Sequence, residues 1–310
     1  MHLPREANRD GLAHVTNRIR ASHLRRGAML LLALVLLAAL WEFYKLVIPE
    51  DGVKLGDALI LPRSDDASMP HLKQIADVFG QQEVAGVAGG GTVLSSVVSS
   101  VWYSLRLAAA GFAVGVVVGF LLAMAMQRLR IVERALLPYV VLSQTVPLIA
   151  LAPLVYGWSG NLSLFGLDWK PWMSVSVIAA YLAFFPVAIG ALRGLASPPP
   201  VQTELLACYA ASWWQTLLRL RLPASVPYLI PALKLAAAAA VVGAIVAEIS
   251  IGLRGGIGRL IISYAQQATG DPARVYAPIL GAAVMGLVAV GLVSLLDVAL
   301  RRYHPREETP

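Results

Sequence analysis

The chain has 310 residues, 58% hydrophobic and only 14% charged, with a net charge of +7 and a mean hydropathy of +0.69. A soluble globular domain carries about 25% charged residues, so the composition argues against a soluble enzyme and for a membrane protein. The basic excess lies in short segments between apolar runs, not in an aromatic-interleaved patch, which argues against nucleic acid. The single cysteine, Cys208, excludes an internal disulfide, and the five histidines form no metal-ligand spacing.

A spanning helix needs about 20 apolar residues. Six stretches meet that length, near 27–48, 98–126, 135–157, 172–195, 226–251 and 275–300. Residues 1–26 form a basic tail ahead of the first stretch, and 301–310 a short tail after the last. The first stretch follows arginines, as a signal peptide would. It runs past its core as "LLALVLLAALWEFYKLVIPE" without a small-x-small cleavage site, so it is read as a retained helix. Residues 49–97 then form an outside segment, in which "MPHLKQIADVF" (69–79) places Leu72, Ile75, Ala76 and Phe79 on one helical face. The stretch "GVAGGGTV" at 86–93 follows no strand pattern and reads as a linker.

In the second stretch Gly111, Gly115 and Gly119 recur every four residues and permit close approach of another helix. In the third, Ser143, Gln144 and Thr145 precede Pro147. A proline there frees backbone carbonyls, and a helix broken in this way is a candidate to line a pathway. The fifth holds Lys234 and Glu248, about 21 Å apart on one face. Ionisable groups at such depth are costly and are candidate pathway residues. Plainer readings are snorkelling of Lys234 to the surface and an ion pair of Glu248 with Arg254 or Arg259. Placing the N-terminus in the cytoplasm and crossing six times puts fifteen Lys and Arg residues inside and seven outside, with both termini cytoplasmic.

That topology leaves a cytoplasmic loop at 196–224. "SPPP" (197–200) ends the fourth helix, and Pro200 suits the first turn of a new one. Glu204 lies in the opening turns of that helix, where the macrodipole favours an acid. Ser212 is placed to cap a second short helix carrying Trp213 and Trp214, and Pro223 and Pro227 are expected to end the unit. A headgroup-anchored hairpin is the plainer reading; a surface gripped by a partner is the other.

The stretch Glu204–Pro223 resembles the EAA loop of ABC importer permeases: Glu-Ala-Ala, three residues, Gly, nine residues, Ile-x-Leu-Pro. Here it reads Glu204-Leu205-Leu206, Ala207-Cys208-Tyr209, Ala210, then Leu220-Arg221-Leu222-Pro223 after nine more residues. Leu205-Leu206 replaces the alanine pair and Ala210 the glycine. Alanine at φ > 0 would cost about 1 kcal/mol or more, so a regular turn is expected at Ala210. "SLRLAAAGFAVGVVVGFLLAMAM" (104–126), "TVPLIALAPLVYGW" (145–158), "FFPVAIGALRGL" (184–195), "VVGAIVAEI" (241–249) and "GLRGGIGRLI" (252–261) resemble the nitrate, sulfonate, taurine and pyrimidine-precursor branch of that family.

The resemblance covers residues 98–300 and implies an all-α type I importer permease fold in a bacterial inner membrane. It implies two permease copies, forming a homodimer, with two copies of a separate ATPase that uses ATP and Mg, and an external solute-binding protein. Cargo would be a sulfonate, nitrate, taurine or a heteroaromatic nutrient. The implied ATPase contacts are Glu204, Leu205, Ala207, Cys208, Ala210, Ala211, Ser212, Trp213, Leu222 and Pro223. The chain has no phosphate-binding loop of its own, and no cofactor or catalytic residue is expected in it. The rival readings are an ion-gradient-driven transporter or channel with Glu248 in the ion path, and an intramembrane enzyme, for which no paired catalytic groups are seen.

Overall fold

The computed structural model describes residues 28–29, 32–55, 58–83, 91–160, 163–164 and 167–300. Both predicted tails, and most of the glycine-rich 86–93 stretch, lie outside the described residues. The chain divides into two units, Met1–Asp77 with Asp271–Ala273, and Val78–Gly270 with Arg274–Pro310.

In the first unit, residues 32–47 form helix α1. Its apolar side chains are exposed around the helix, Leu36, Leu40, Phe43 and Leu46 among them, as expected of a surface meant for lipid. The polar residues near its end hold the segment that follows. Trp41 Nε1 donates to the Pro70 carbonyl at 3.1 Å, and Glu42 accepts from the Leu72 N–H at 2.8 Å and meets the His71 ring at 2.9 Å. Lys45 pairs with Asp66 and donates to the Met69 carbonyl. The Lys45 bond, followed by one from Gln74, holds the Asp66 carboxyl below its ordinary pKa. A two-stranded hairpin, β1 (Val53–Leu55) and β2 (Ala58–Leu61), fills the interval. The predicted amphipathic helix forms as α2 (Leu72–Val78), with Ile75 and Val78 buried and Leu72 and Phe79 half-buried. Ala76, expected on that face, is exposed.

The second unit is built on α3 (Val93–Arg128), α6 (Pro171–Leu195) and α9 (Leu222–Ile251). The 36 residues of α3 span about 54 Å, more than a hydrocarbon core requires. Its four-residue glycine repeat packs on the small residues of α6. A Cβ added at Gly111 would lie 2.5 Å from both the Ala179 Cβ and the Ser176 carbonyl oxygen, and one at Gly119 2.5 Å from the Phe184 carbonyl oxygen. Backbones this close admit no side chain, which is the packing that small residues allow between membrane helices.

Among the described residues four helices are long and apolar enough to cross a membrane. They are Val93–Arg128, Pro171–Leu195, Trp213–Ile251 and Pro272–Asp297. The third predicted stretch is a bent pair, α4 (Arg130–Leu142) and α5 (Leu148–Ser159), at 102° to each other. A one-turn 3₁₀ segment, Ser143–Thr145, joins them, and Pro147 is the N-cap of α5. A small antiparallel pair, β3 (Ser163–Leu164) and β4 (Leu167–Asp168), separates α5 from α6. Between α6 and α9 lie α7 (Pro200–Cys208) and α8 (Trp213–Thr216); α10 (Ile257–Gln266) and α11 (Tyr276–Leu300) complete the unit.

Two local expectations are corrected. Pro223 and Pro227 were expected to end the loop unit, but Trp213–Ile251 runs through both without a break. A π-helical turn at Leu217–Arg221 lets the Leu222 N–H reach the Leu217 carbonyl, one residue farther than in an α-helix. The widened turn accommodates Pro223, whose ring would clash with the preceding turn of a regular α-helix. The second correction is Ala210, which adopts φ +53° where a regular turn was expected.

Candidate functional site

The loop between α6 and α9 begins where the sequence placed it. Pro200 is the first residue of α7, and Ser212 caps α8 in a complete capping box. The Gln215 N–H donates to Ser212 Oγ at 3.3 Å, and the Ser212 N–H to Gln215 Oε1 at 2.7 Å. Between them α7 closes in a Schellman motif. The Ala210 N–H donates to the Ala207 carbonyl at 2.9 Å and the Ala211 N–H to the Leu206 carbonyl at 3.0 Å. This motif needs a left-handed residue at the position Ala210 occupies, normally glycine. Two backbone hydrogen bonds, each worth about 1 kcal/mol net, offset the strain of about 1–2 kcal/mol on a left-handed alanine. Ala210→Gly should therefore raise the thermal midpoint of the purified protein slightly, and Ala210→Val should lower it. Thermal unfolding in detergent checks this.

No residue of α7 is buried. Val201, Glu204, Leu205, Cys208 and Tyr209 follow the i, i+3, i+4 spacing of one helical face, and all are exposed, with Val201 at 73% and Tyr209 at 76%. Glu204, Ala207, Ala210 and Ser212 are exposed, while Ala211, Trp213, Leu222 and Pro223 are half-buried. Sequence reasoning missed Val201 and Tyr209, although their spacing from Glu204 and Leu205 marks them as sharing a face.

The base of the loop is fixed to the helices. Leu217 packs with Ala123, Ala191 and Leu195, against which Trp213 and Leu222 also lie. The Arg128 guanidinium sits 4.8 Å from the Trp213 ring centre. Arg221 Nη1 donates to the Leu195 carbonyl at 2.9 Å. An exposed helix is thus carried on an anchored root that continues into α9.

Glu248 is fully buried, and no ion pair with Arg254 or Arg259 forms. Ser104 Oγ donates to its Oε1 at 2.6 Å, and the Gly258 N–H to its Oε2 at 2.9 Å. Ser104 Oγ accepts in turn from the Ile257 N–H at 2.8 Å. The carboxylate therefore ties α3, α9 and the N-terminus of α10, where the helix dipole favours an acid. Gly256 lies against it: an added Cβ would stand 2.3 Å from the carboxyl carbon. Ser104 had not been singled out from sequence. Lys234 pairs with Asp297 of α11 at 2.8 Å, with about a third of each side chain exposed.

Ser143, Gln144 and Thr145 occupy the bend between α4 and α5. Tyr181 donates its hydroxyl to the Ser143 carbonyl, while Gln144 and Thr145 are exposed. The structure does not bring this cluster, Lys234 and Glu248 into one site. Among the described residues no group of acids, histidines or cysteine could hold a metal ion.

Residues 115–306 match the family described as binding-protein-dependent transport system inner membrane component. The formylaminopyrimidine transport permease protein ThiX of Halalkalibacterium halodurans is 31% identical over 204 residues, 66% of this chain and 77% of that protein. A Bacillus subtilis protein named as an aliphatic sulfonates transport permease, SsuC, is 28% identical over 201 residues, 65% of this chain and 68% of that one. The crystal structure of an amino acid ABC transporter with histidines aligns with a TM-score of 0.51 at 19% identity, over 67% of this chain and 94% of that chain. That likeness establishes a shared fold.

Proposed function

We propose a function from the premise that the chain belongs to the family of binding-protein-dependent transport system inner membrane components. It is an ABC transporter permease component and not an enzyme. On our reading it acts as the membrane subunit of an importer in which a separate ATPase drives alternating access through the loop at 200–223. The observation that carries this is α7, a nine-residue helix with no fully buried residue and one face exposed along its length. Helices this short are marginal alone, and this one presents an apolar stripe flanking an acid. It rides on a root continuous with a spanning helix, so a push on α7 reaches α9. Two such chains would enclose the pathway, with the bent α4–α5 pair and its exposed Gln144 and Thr145 as candidate lining. An external binding protein would deliver the solute. The relatives named for formylaminopyrimidine and aliphatic sulfonates support a small polar organic cargo.

Reconstitution into liposomes tests this reading. With its ATPase and binding protein, the chain should accumulate solute only when ATP is enclosed on the ATPase side. Uptake by the chain alone under a proton gradient would instead establish the ion-driven transporter. The proposed topology, with α7 cytoplasmic, is checked by labelling. In intact cells an impermeant maleimide should modify Ala67→Cys in a Cys208→Ser background and spare the native Cys208. Both residues are exposed, so equal reaction would contradict the orientation.

A further inference from the structure

Beside the loop, the ends of α3 and α6, the start of α4 and the residues around α7 and α8 enclose a cleft of about 990 Å³. Its lining is divided. Leu137, Val141, Phe185 and Ile189 form an apolar wall, while Arg128, Arg130, Arg193 and Arg221 carry four positive charges against one acid, Glu133. Among the described residues no ion pair engages any of these four arginines. The cleft also collects three of the six buried side-chain polar atoms that lack a hydrogen-bond partner among the described residues: Gln127 Oε1, Trp213 Nε1 and Arg221 Nε. These three atoms lie beneath the lining, where an occupant would not reach them; what faces the cleft is the positive charge and the apolar wall.

We propose that the cleft binds one anionic phospholipid, with its phosphate among the arginines and an acyl chain along the apolar wall. A small inorganic anion would answer the charge, but would leave the apolar wall wet and most of the volume unfilled. A zwitterionic lipid would answer the wall, but would leave the positive surplus unmatched. Basic pockets between membrane helices on the cytoplasmic side suit anionic headgroups. That is the side to which the arginine asymmetry assigns this loop. Trp213 and Arg221 belong both to the cleft and to the root of α7, so an occupant also braces the loop.

Native mass spectrometry of the purified full chain, titrated with phosphatidylglycerol or phosphatidylcholine, tests the assignment. Each arginine near an anionic headgroup is worth about fivefold in affinity. Arg130→Gln with Arg193→Gln should therefore weaken phosphatidylglycerol binding on the order of twentyfold. Arg130→Lys with Arg193→Lys should keep most of it, and the charge-matched control Arg63→Gln with Arg254→Gln should leave it unchanged. Equal binding of the two lipids, or an equal loss in the control pair, overturns the proposal. Displacement of bound lipid by millimolar phosphate or methanesulfonate, with the same dependence on Arg130 and Arg193, would make the cleft a small-anion site and overturn the lipid assignment.

Discussion

Glu204→Ala and Ala210→Asp are each expected to remove most ATP-dependent uptake while leaving the chain inserted in the membrane. Neither residue is buried, and neither lies in one of the four helices long enough to span among the described residues, so folding of the bundle should survive both changes. Glu204 makes no hydrogen bond or ion pair among the described residues and stands between Val201 and Leu205 on the exposed face of α7. If that face is the docking surface, the acid is buried on assembly, and truncating one side of a buried charged pair costs about 2–5 kcal/mol. The complex would weaken by about thirtyfold or more. Ala210→Asp acts differently. Aspartate tolerates a left-handed backbone better than alanine, so the Schellman turn should close normally, and any loss reports the added charge at the contact. Ala210→Asn separates the two causes: it accepts the same backbone without the charge and should transport close to normally. Normal uptake by both Glu204→Ala and Ala210→Asp would reduce the loop to a headgroup anchor.

The second large effect is expected at Glu248. Glu248→Leu should destabilise the protein by about 2–6 kcal/mol, because the Ser104 hydroxyl and the Gly258 N–H both lose their buried acceptor at about 1–3 kcal/mol each. Gly256→Val should be comparably damaging, since its Cβ would overlap the carboxylate. Glu248→Gln should be far milder. Its amide oxygen can take the Gly258 N–H, and its amide group can donate to Ser104 Oγ, which has a second lone pair. Thermal unfolding in detergent ranks the three variants. Near-wild-type stability in Glu248→Gln together with failed transport would return the residue to the translocation pathway. Intact transport would leave it the latch that joins α3, α9 and α10.

Much of this was legible in the sequence because it is decided locally. Pro200 starting a helix, Ser212 capping one and the glycine repeat of α3 each follow from a few neighbouring residues. What escaped depended on distant groups. Ala210 looked incompatible with a left-handed turn because its strain is visible in the sequence, whereas the two closing hydrogen bonds that offset it depend on how α7 ends. Pro223 looked like a stop because the preceding π turn has no simple residue signature. Glu248 was matched with Arg254 or Arg259 by nearness along the chain. The hydroxyl that meets it, Ser104, lies 144 residues away, and the N-terminus of α10 supplies the rest in backbone donors that no sequence pattern displays.

If an ATPase holds α7, Cys208 reports it directly. It is the chain's single cysteine and is exposed on that helix. In membranes containing the full complex, a short photoreactive maleimide placed on Cys208 should cross-link the chain to its ATPase, with a yield that changes on adding Mg-ATP and falls sharply in Ala210→Asp. Cross-links to lipid alone, in membranes that still take up solute, would mean that no ATPase grips α7.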